Sequence, residues 1–297
     1  MGEPARRGSP RAALDCFLCD APMRRDVLDG AFRCAACGLY RSDFPVAINQ
    51  AVDDRLDEGL RERALKPLRV ANFERLLDHC EPLLAAGASI LDVGCAHGWF
   101  LQAATARGYG ATGLEPDHDI AQRAKAGGSE VIEGFFPDAL PAGASYDAIS
   151  FNDVFEHLPD AHAMAEAVRA RLKPGGVLIL NLPLADGVIY RLARVAARLG
   201  MKGPLARMWQ EGLPSPHLAY YTAANVAALM RAHGFHPVAQ GRLPSMTIRG
   251  LWTRIRFDRS VSMPKAVLLY LVGAGLAVVS AALPPDIGYF VLRKTGD

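Results

Sequence analysis

The chain has almost no net charge. Its 33 Lys and Arg nearly cancel 31 Asp and Glu, leaving +2. That balance hides an asymmetry. Between Asp186 and Lys265 there are 12 Lys and Arg against 3 Asp and Glu, a net of +9, so the remainder holds 21 against 28, a net of −7. A basic region on a nearly neutral chain points to an anionic neighbour, such as a lipid surface, a phosphate-bearing substrate or RNA; a solvated basic face is the plain alternative. A secretory leader is also lacking. Met1 to Leu14 is rich in Arg and Pro and has no apolar core, so a cytosolic protein is expected. Charge is absent from Ala266 to Leu283, a run of 18 residues. Cysteine is scarce, but four of the 6 form two Cys-x-x-Cys pairs. With no export signal, these read as metal ligands rather than disulfides.

What is there is organised around Ser89 to Leu101. Ile90 to Val93 is a short apolar run containing Asp92. A glycine-rich turn, Gly94 to Gly98, leads into a helical pattern from Trp99. Strand, tight turn and helix together bring backbone amides and a helix N-terminus close to a polar ligand. A second short strand, Gly110 to Glu115, ends in an acid 23 residues after Asp92. At the carboxyl end of such a strand an acid faces the crevice and can bind two ribose hydroxyls. The dinucleotide fingerprint Gly-x-Gly-x-x-Gly is missing, because the turn reads Gly-x-x-x-Gly. Strands near 89–93, 111–115, 129–133, 146–151 and 176–182 alternate with helices near 98–107, 118–126 and 160–172. That spacing predicts a parallel sheet with helices on both faces.

Asp92 to Gly98 resembles the first motif of the class I S-adenosylmethionine-dependent methyltransferases, with Ala96 in place of a glycine. Ser145 to Leu158 resembles their fourth strand with its Glu-His pair, Leu172 to Leu180 the approach to the fifth, and His217 to Thr222 a segment of one subgroup. The resemblance runs from about Leu60 to Leu292 and is nearest to the type 11/23-like bacterial subgroup. It implies an α/β fold, a doubly wound seven-stranded Rossmann-like sheet, with Phe235 to Leu243 as sixth strand and Ile287 to Leu292 as an antiparallel seventh. It implies S-adenosylmethionine as cofactor. Gly94, Ala96 and Gly98 would approach the methionine part, Asp92 its ammonium, Glu115 the ribose, and Phe135, Phe136 and Asn152 the remaining surface. The acid that many members carry near Phe135 is missing, with Asp138 close by. In the similar quinone-pathway O-methyltransferases the Glu-His pair lies in the active site, which makes Glu156 and His157 the candidates for acid–base work. His217 is the second histidine candidate.

Cys16, Cys19, Cys34 and Cys37 form two knuckles with a 14-residue gap containing Asp29-Gly30. Four thiolates at this spacing suit one tetrahedral structural zinc ion. The domain order expected is a disordered 1–15, a zinc ribbon over 16–45, a linker over 46–59, and the catalytic domain over 60–297. Within that domain, 184–216 would be an acceptor-side cap, built on a basic amphipathic helix or helix pair. Segment 245–284 would be an apolar insertion between the sixth and seventh strands. Its uncharged run sits at the lower edge of a membrane span. The strand expected after it favours an interfacial helix, or a hairpin broken near Gly273 or Gly275, over a crossing. A buried helix or a dimer contact is the alternative.

The reading is a methyltransferase for a hydroxyl on a small-molecule or lipid-linked acceptor, held at the inner face of an anionic membrane. A ribosomal RNA methyltransferase with a zinc-ribbon head is the competing enzyme, but its expected basic head is not here, and nucleic acid is the less favoured partner. A non-catalytic module that kept the fold is the third reading, which Ala96 permits. Oligomeric state is not legible.

Overall fold

The computed structural model describes residues 14–48, 58–248, 250–256, 261–279 and 282–296. The expected disorder of 1–13 and the linker residues 49–57 lie outside them. In chain order the elements are β1 (Met23–Arg25), β2 (Ala31–Cys34), β3 (Tyr40–Ser42), α1 (Glu58–Cys80), β4 (Ser89–Val93), α2 (Trp99–Ala106), β5 (Gly110–Glu115), α3 (His118–Ala126), β6 (Glu130–Glu133), β7 (Tyr146–Asn152), α4 (Ala161–Arg171), β8 (Leu172–Pro183), α5 (Val188–Arg198), α6 (Gly203–Met208), β9 (Ala219–Tyr220), α7 (Ala223–Ala232), β10 (Phe235–Leu243), α8 (Leu251–Arg256), α9 (Met263–Val279) and β11 (Ile287–Lys294).

The main sheet has seven strands in the order β10-β11-β8-β7-β4-β5-β6. The five from β8 to β6 are parallel, and β11 runs antiparallel between β8 and β10. The order reverses at β4, and there the carboxyl ends of β4, β5 and β7 open a crevice. Leu91, Ile149, Leu178 and Leu180 build the core on one face, and Ile90, Ala148, Val177 and Ile179 on the other. This is the two-sided burial that parallel strands require. α7 starts at a side-chain cap. Thr222 accepts from the Asn225 amide, and the Asn225 side chain accepts from Thr222 N–H, closing a capping box.

The amino-terminal segment is not a detached head. β1, β2 and β3 form an antiparallel sheet that continues into β9, with Tyr40 opposite Tyr220 and Arg41 opposite Ala219. Leu14 and Asp15 already belong to it, since Met23 N–H donates to Leu14 O and Asp15 bridges Pro22. Ala47, placed in the expected linker, donates its N–H to Pro214 O at 2.8 Å.

The apolar insertion also differs from expectation. α9 runs unbroken through Gly273 and Gly275. Gly273 is buried against α8, where a Cβ would lie 3.1 Å from Leu251. Only Ala266 and Gly273 of this helix are buried, so most of its apolar surface faces outward.

Candidate active site

β4 delivers Asp92 to the crevice, and the loop after it turns sharply. Gly94 has φ +68°, and a Cβ there would lie 2.6 Å from Val154. Glycine is needed for both reasons. Gly98 (φ +72°) caps α2, with space beside it for no side chain larger than hydrogen because Ser129 Oγ would be 2.5 Å from a Cβ. Ala96 holds φ +46°, a left-handed conformation that a glycine would adopt without strain. The loop is tied to β5, because Gly94 N–H and Cys95 N–H both donate to Leu114 O.

Glu115, at the end of β5, is buried. Its Oε2 accepts from Ala96 N–H at 2.9 Å and its Oε1 from Asp117 N–H at 3.0 Å. Burial raises its pKa, against the pull of those two amides. Each oxygen keeps a second lone pair, so the carboxylate can accept two more hydroxyls.

Asp92 is buried among polar neighbours, of which the sequence reading named Asn152 but neither Ser150 nor Asn181. Ser150 Oγ donates to Oδ1 at 2.7 Å and Asn152 Nδ2 to the same atom at 2.8 Å. Asn181 in turn donates to Asn152 Oδ1. Both donors go to Oδ1, which leaves Oδ2 for a ligand. Burial pushes the Asp92 carboxyl up to about 7, with the Ser150 and Asn152 bonds opposing and the Glu115 charge adding. A cation beside it would restore its charge. The signal for Ser150 and Asn181 was present as polar residues inside buried strands.

The two phenylalanines part company. Phe135 is 56% exposed at the crevice. Phe136 is buried in the core with its ring edge-on to Phe151, so it supports the wall rather than offering a surface to a ligand.

Glu156, His157 and His217 do come together. Glu156 and His157 lie in a single turn of 3-10 helix after β7, and His217 precedes β9. Their nearest ligand-type atoms lie within 4.8 Å of one another, a set that could hold a cation. His157 Nδ1 lies 2.9 Å from Pro216 O, an atom that can only accept. Nδ1 therefore carries the proton and Nε2 the lone pair. Burial lowers the pKa of His157. It lowers that of His217 far more, with His157 adding, and it raises Glu156 well above the usual carboxylate range, with Asp153 adding. Burial thus disfavours the charged form of all three, which suits proton transfer between them and a bound group. α1 closes the near edge, where Arg69 pairs with Asp153 at 3.1 Å.

The second donor cluster is in the ribbon. Cys16 Sγ lies 3.5 Å from Cys37 Sγ, and Cys19 Sγ 3.5 Å from Cys34 Sγ, with all four within 4.8 Å. These separations exceed a disulfide's ~2.05 Å and match the edges of a sulfur tetrahedron around one soft cation.

The chain matches a family model described as a methyltransferase domain over residues 61–240. It is 28% identical over 176 residues to a ubiquinone biosynthesis O-methyltransferase of Xanthomonas axonopodis pv. citri, covering 57% of this chain and 71% of that one. It is 29% identical over 138 residues to a malonyl-[acyl-carrier protein] O-methyltransferase of Erwinia pyrifoliae, covering 45% of this chain and 51% of that one. In fold it is similar to a mycolic acid cyclopropane synthase, CmaA1, solved with SAH and CTAB, at TM-score 0.54 and 18% identity, over 76% of this chain and 84% of that one. A family model covering more than half the chain, on a sheet whose switch point carries the glycine turn and its two acids, leaves one conclusion: the chain belongs to the class I S-adenosylmethionine-dependent methyltransferases.

Proposed function

We propose that the enzyme methylates a hydroxyl on a small-molecule or lipid-linked acceptor, with His157 as general base. One observation carries this reading. His157 has its Nδ1 held by Pro216 O, so Nε2 is the basic nitrogen, beside Glu156 and His217 at the carboxyl edge of the sheet. The two O-methyltransferase relatives support an oxygen acceptor.

Bound S-adenosylmethionine supplies an activated methyl group. Asp92 Oδ2 would hold its ammonium and Glu115 its ribose hydroxyls. The backbone from Gly94 to Gly98 would face the methionine part. Asn152 keeps Asp92 oriented, and Phe135 offers a ring at the crevice mouth. His157 takes the hydroxyl proton as the acceptor oxygen becomes a nucleophile, and Glu156 and His217 line the same pocket. Mass spectrometry of lipid and polar extracts from a strain lacking the gene tests this. A species lighter by one methyl group is expected and names the acceptor, and extracts identical to the wild type would reject it.

A zinc ion in the four-cysteine ribbon belongs to the same reading, because the donor set is soft and tetrahedral in outline, and four thiolates would leave the ion no position for a water ligand. Metal analysis should find one zinc per chain, removed by Cys16→Ser with Cys34→Ser. Zinc retained in that double variant would refute the ligand set.

Attachment to an anionic membrane surface is the third element. The start of α5 and the last turns of α9 line one crevice, with Val188 and Ile189 on one side and Leu276 and Ala277 on the other. Exposed apolar side chains are Leu192 and Val195 on α5, Leu199 just after it, and Leu268, Leu271 and Val278 on α9. Arg191, Arg198, Lys202 and Lys265 are exposed around them, a pattern suited to anionic headgroups. No helix among the described residues is long and apolar enough to cross a membrane. The full chain should float with vesicles containing anionic lipid. Leu268→Glu with Leu271→Glu, both at exposed positions, should leave it in solution with cofactor affinity intact. Equal flotation of the two proteins would remove lipid as the occupant of this face.

A further inference from the structure

The ribbon reaches the acceptor side of the site through one short strand. β3 pairs with β9, and Ser42, the last residue of β3, makes two bonds to the chain just before it. Its Oγ donates to His217 O at 2.7 Å in a buried contact, and its N–H donates to Leu218 O at 3.0 Å. Leu218 N–H then donates to Glu156 O at 2.8 Å. The two candidate acid–base residues are thus linked, backbone to backbone, to the ribbon. On the far side Asn225 Nδ2 donates to Cys37 O at 3.0 Å, so a ribbon cysteine also holds the start of α7. Ring contacts tighten the joint, with Tyr40 against Tyr190, Tyr190 against Tyr220, and Tyr220 against both Trp209 and His217.

A second observation shows what this joint encloses. Glu156 Oε2, His217 Nδ1, Trp209 Nε1, Tyr190 Oη and Tyr221 Oη are buried with no hydrogen-bonding partner among the described residues. All lie on or against the Trp209–Tyr221 segment. Orphaned buried polar atoms are costly and rare, and several of them along one segment call for polar partners that the protein itself does not supply.

We propose that the ribbon is a working part of the acceptor pocket, and that Ser42 is a positioning residue that holds the His217 segment against Glu156. The inference rests on the methyltransferase reading of this crevice, and on Glu156 and His217 facing the acceptor. It separates the molecule into two halves. The cofactor side is built from β4, β5, β7 and β8 and the loops after β4 and β5, and none of the bonds named for it involves the ribbon. The acceptor side is completed only when β3 is docked on β9.

Hydrogen exchange read peptide by peptide on the full-length protein tests this, alongside calorimetric affinity for S-adenosylmethionine. Labelled methyl transfer from S-adenosylmethionine into an extract of the deletion strain completes the set. Ser42→Ala should speed exchange across Trp209 to Tyr221 by about tenfold and lower transfer by a similar factor, from the loss of one buried hydrogen bond. Affinity for S-adenosylmethionine should stay within about twofold of the native value. Ser42→Thr, which keeps the hydroxyl, should recover most of the transfer. Cys16→Ser with Cys34→Ser should loosen the same segment further, again with cofactor affinity kept. Unchanged exchange across Trp209 to Tyr221 in both the Ala and the Cys variants would overturn the proposal. So would a parallel fall in cofactor affinity, which would mean general loosening. Failure of the native protein itself to bind S-adenosylmethionine would instead strike the methyltransferase reading.

Discussion

Glu115→Ala is expected to weaken S-adenosylmethionine binding by about a hundredfold or more. Two ribose hydroxyls donating to a carboxylate contribute about 1.5–3 kcal/mol each, and each ~1.4 kcal/mol is a factor of ten. The substitution does further harm, because Glu115 also accepts the Ala96 and Asp117 amides that shape the loop. Folding should suffer less than binding. Burial raises the Glu115 pKa, so its contribution to stability is present at low pH and lost as pH rises through the folded value. At neutral pH the empty crevice gains nothing from that charge, and the bound hydroxyls do. Glu115→Gln, with one acceptor oxygen for two amides, should fall between. Titration calorimetry beside thermal unfolding separates the two effects. Native affinity in Glu115→Ala would place the ribose elsewhere.

His157→Ala is expected to slow methyl transfer by about a hundredfold to ten-thousandfold, the range for loss of a positioned general base. The pH dependence gives the sharper test. Burial lowers the His157 pKa below its ordinary 6.5. The base is active when neutral, so the native rate should hold steady at neutral pH and fall on an acidic limb below 6.5, as Nε2 is protonated. In the variant that limb should vanish. An identical limb in His157→Ala would assign the base to another group, with His217 next in line.

Much of the sheet was legible because its strands are short apolar runs fenced by glycine. β4 and β10 fall where expected, and β5, β6 and β7 within a residue or so. The ribbon's docking was not legible. β9 is two residues long and has no period to read, and its partner lies about 180 residues earlier. The adjacent Phe135 and Phe136 show another limit, since sequence cannot say which of two neighbours turns inward. Gly273 misled as a break, because its role is close approach of α9 to Leu251. Glu156, His157 and His217 were named from a resemblance, and the fold brings them together. The Ser42 link between ribbon and pocket exists only in three dimensions.

The central claim is that the crevice between β4, β5 and β7 holds S-adenosylmethionine, with Asp92 facing its ammonium. Calorimetric titration of the full chain at pH 6 and pH 8 tests it most directly. One molecule per chain is expected, displaced by S-adenosylhomocysteine. Because the Asp92 carboxyl sits at about 7 when the crevice is empty and must be ionised to hold a cation, binding should weaken as pH falls through that value, by up to about tenfold between the two conditions. A chain that takes up no S-adenosylmethionine at either pH would contradict the claim outright, and an affinity that rises at pH 6 would remove Asp92 from the ammonium.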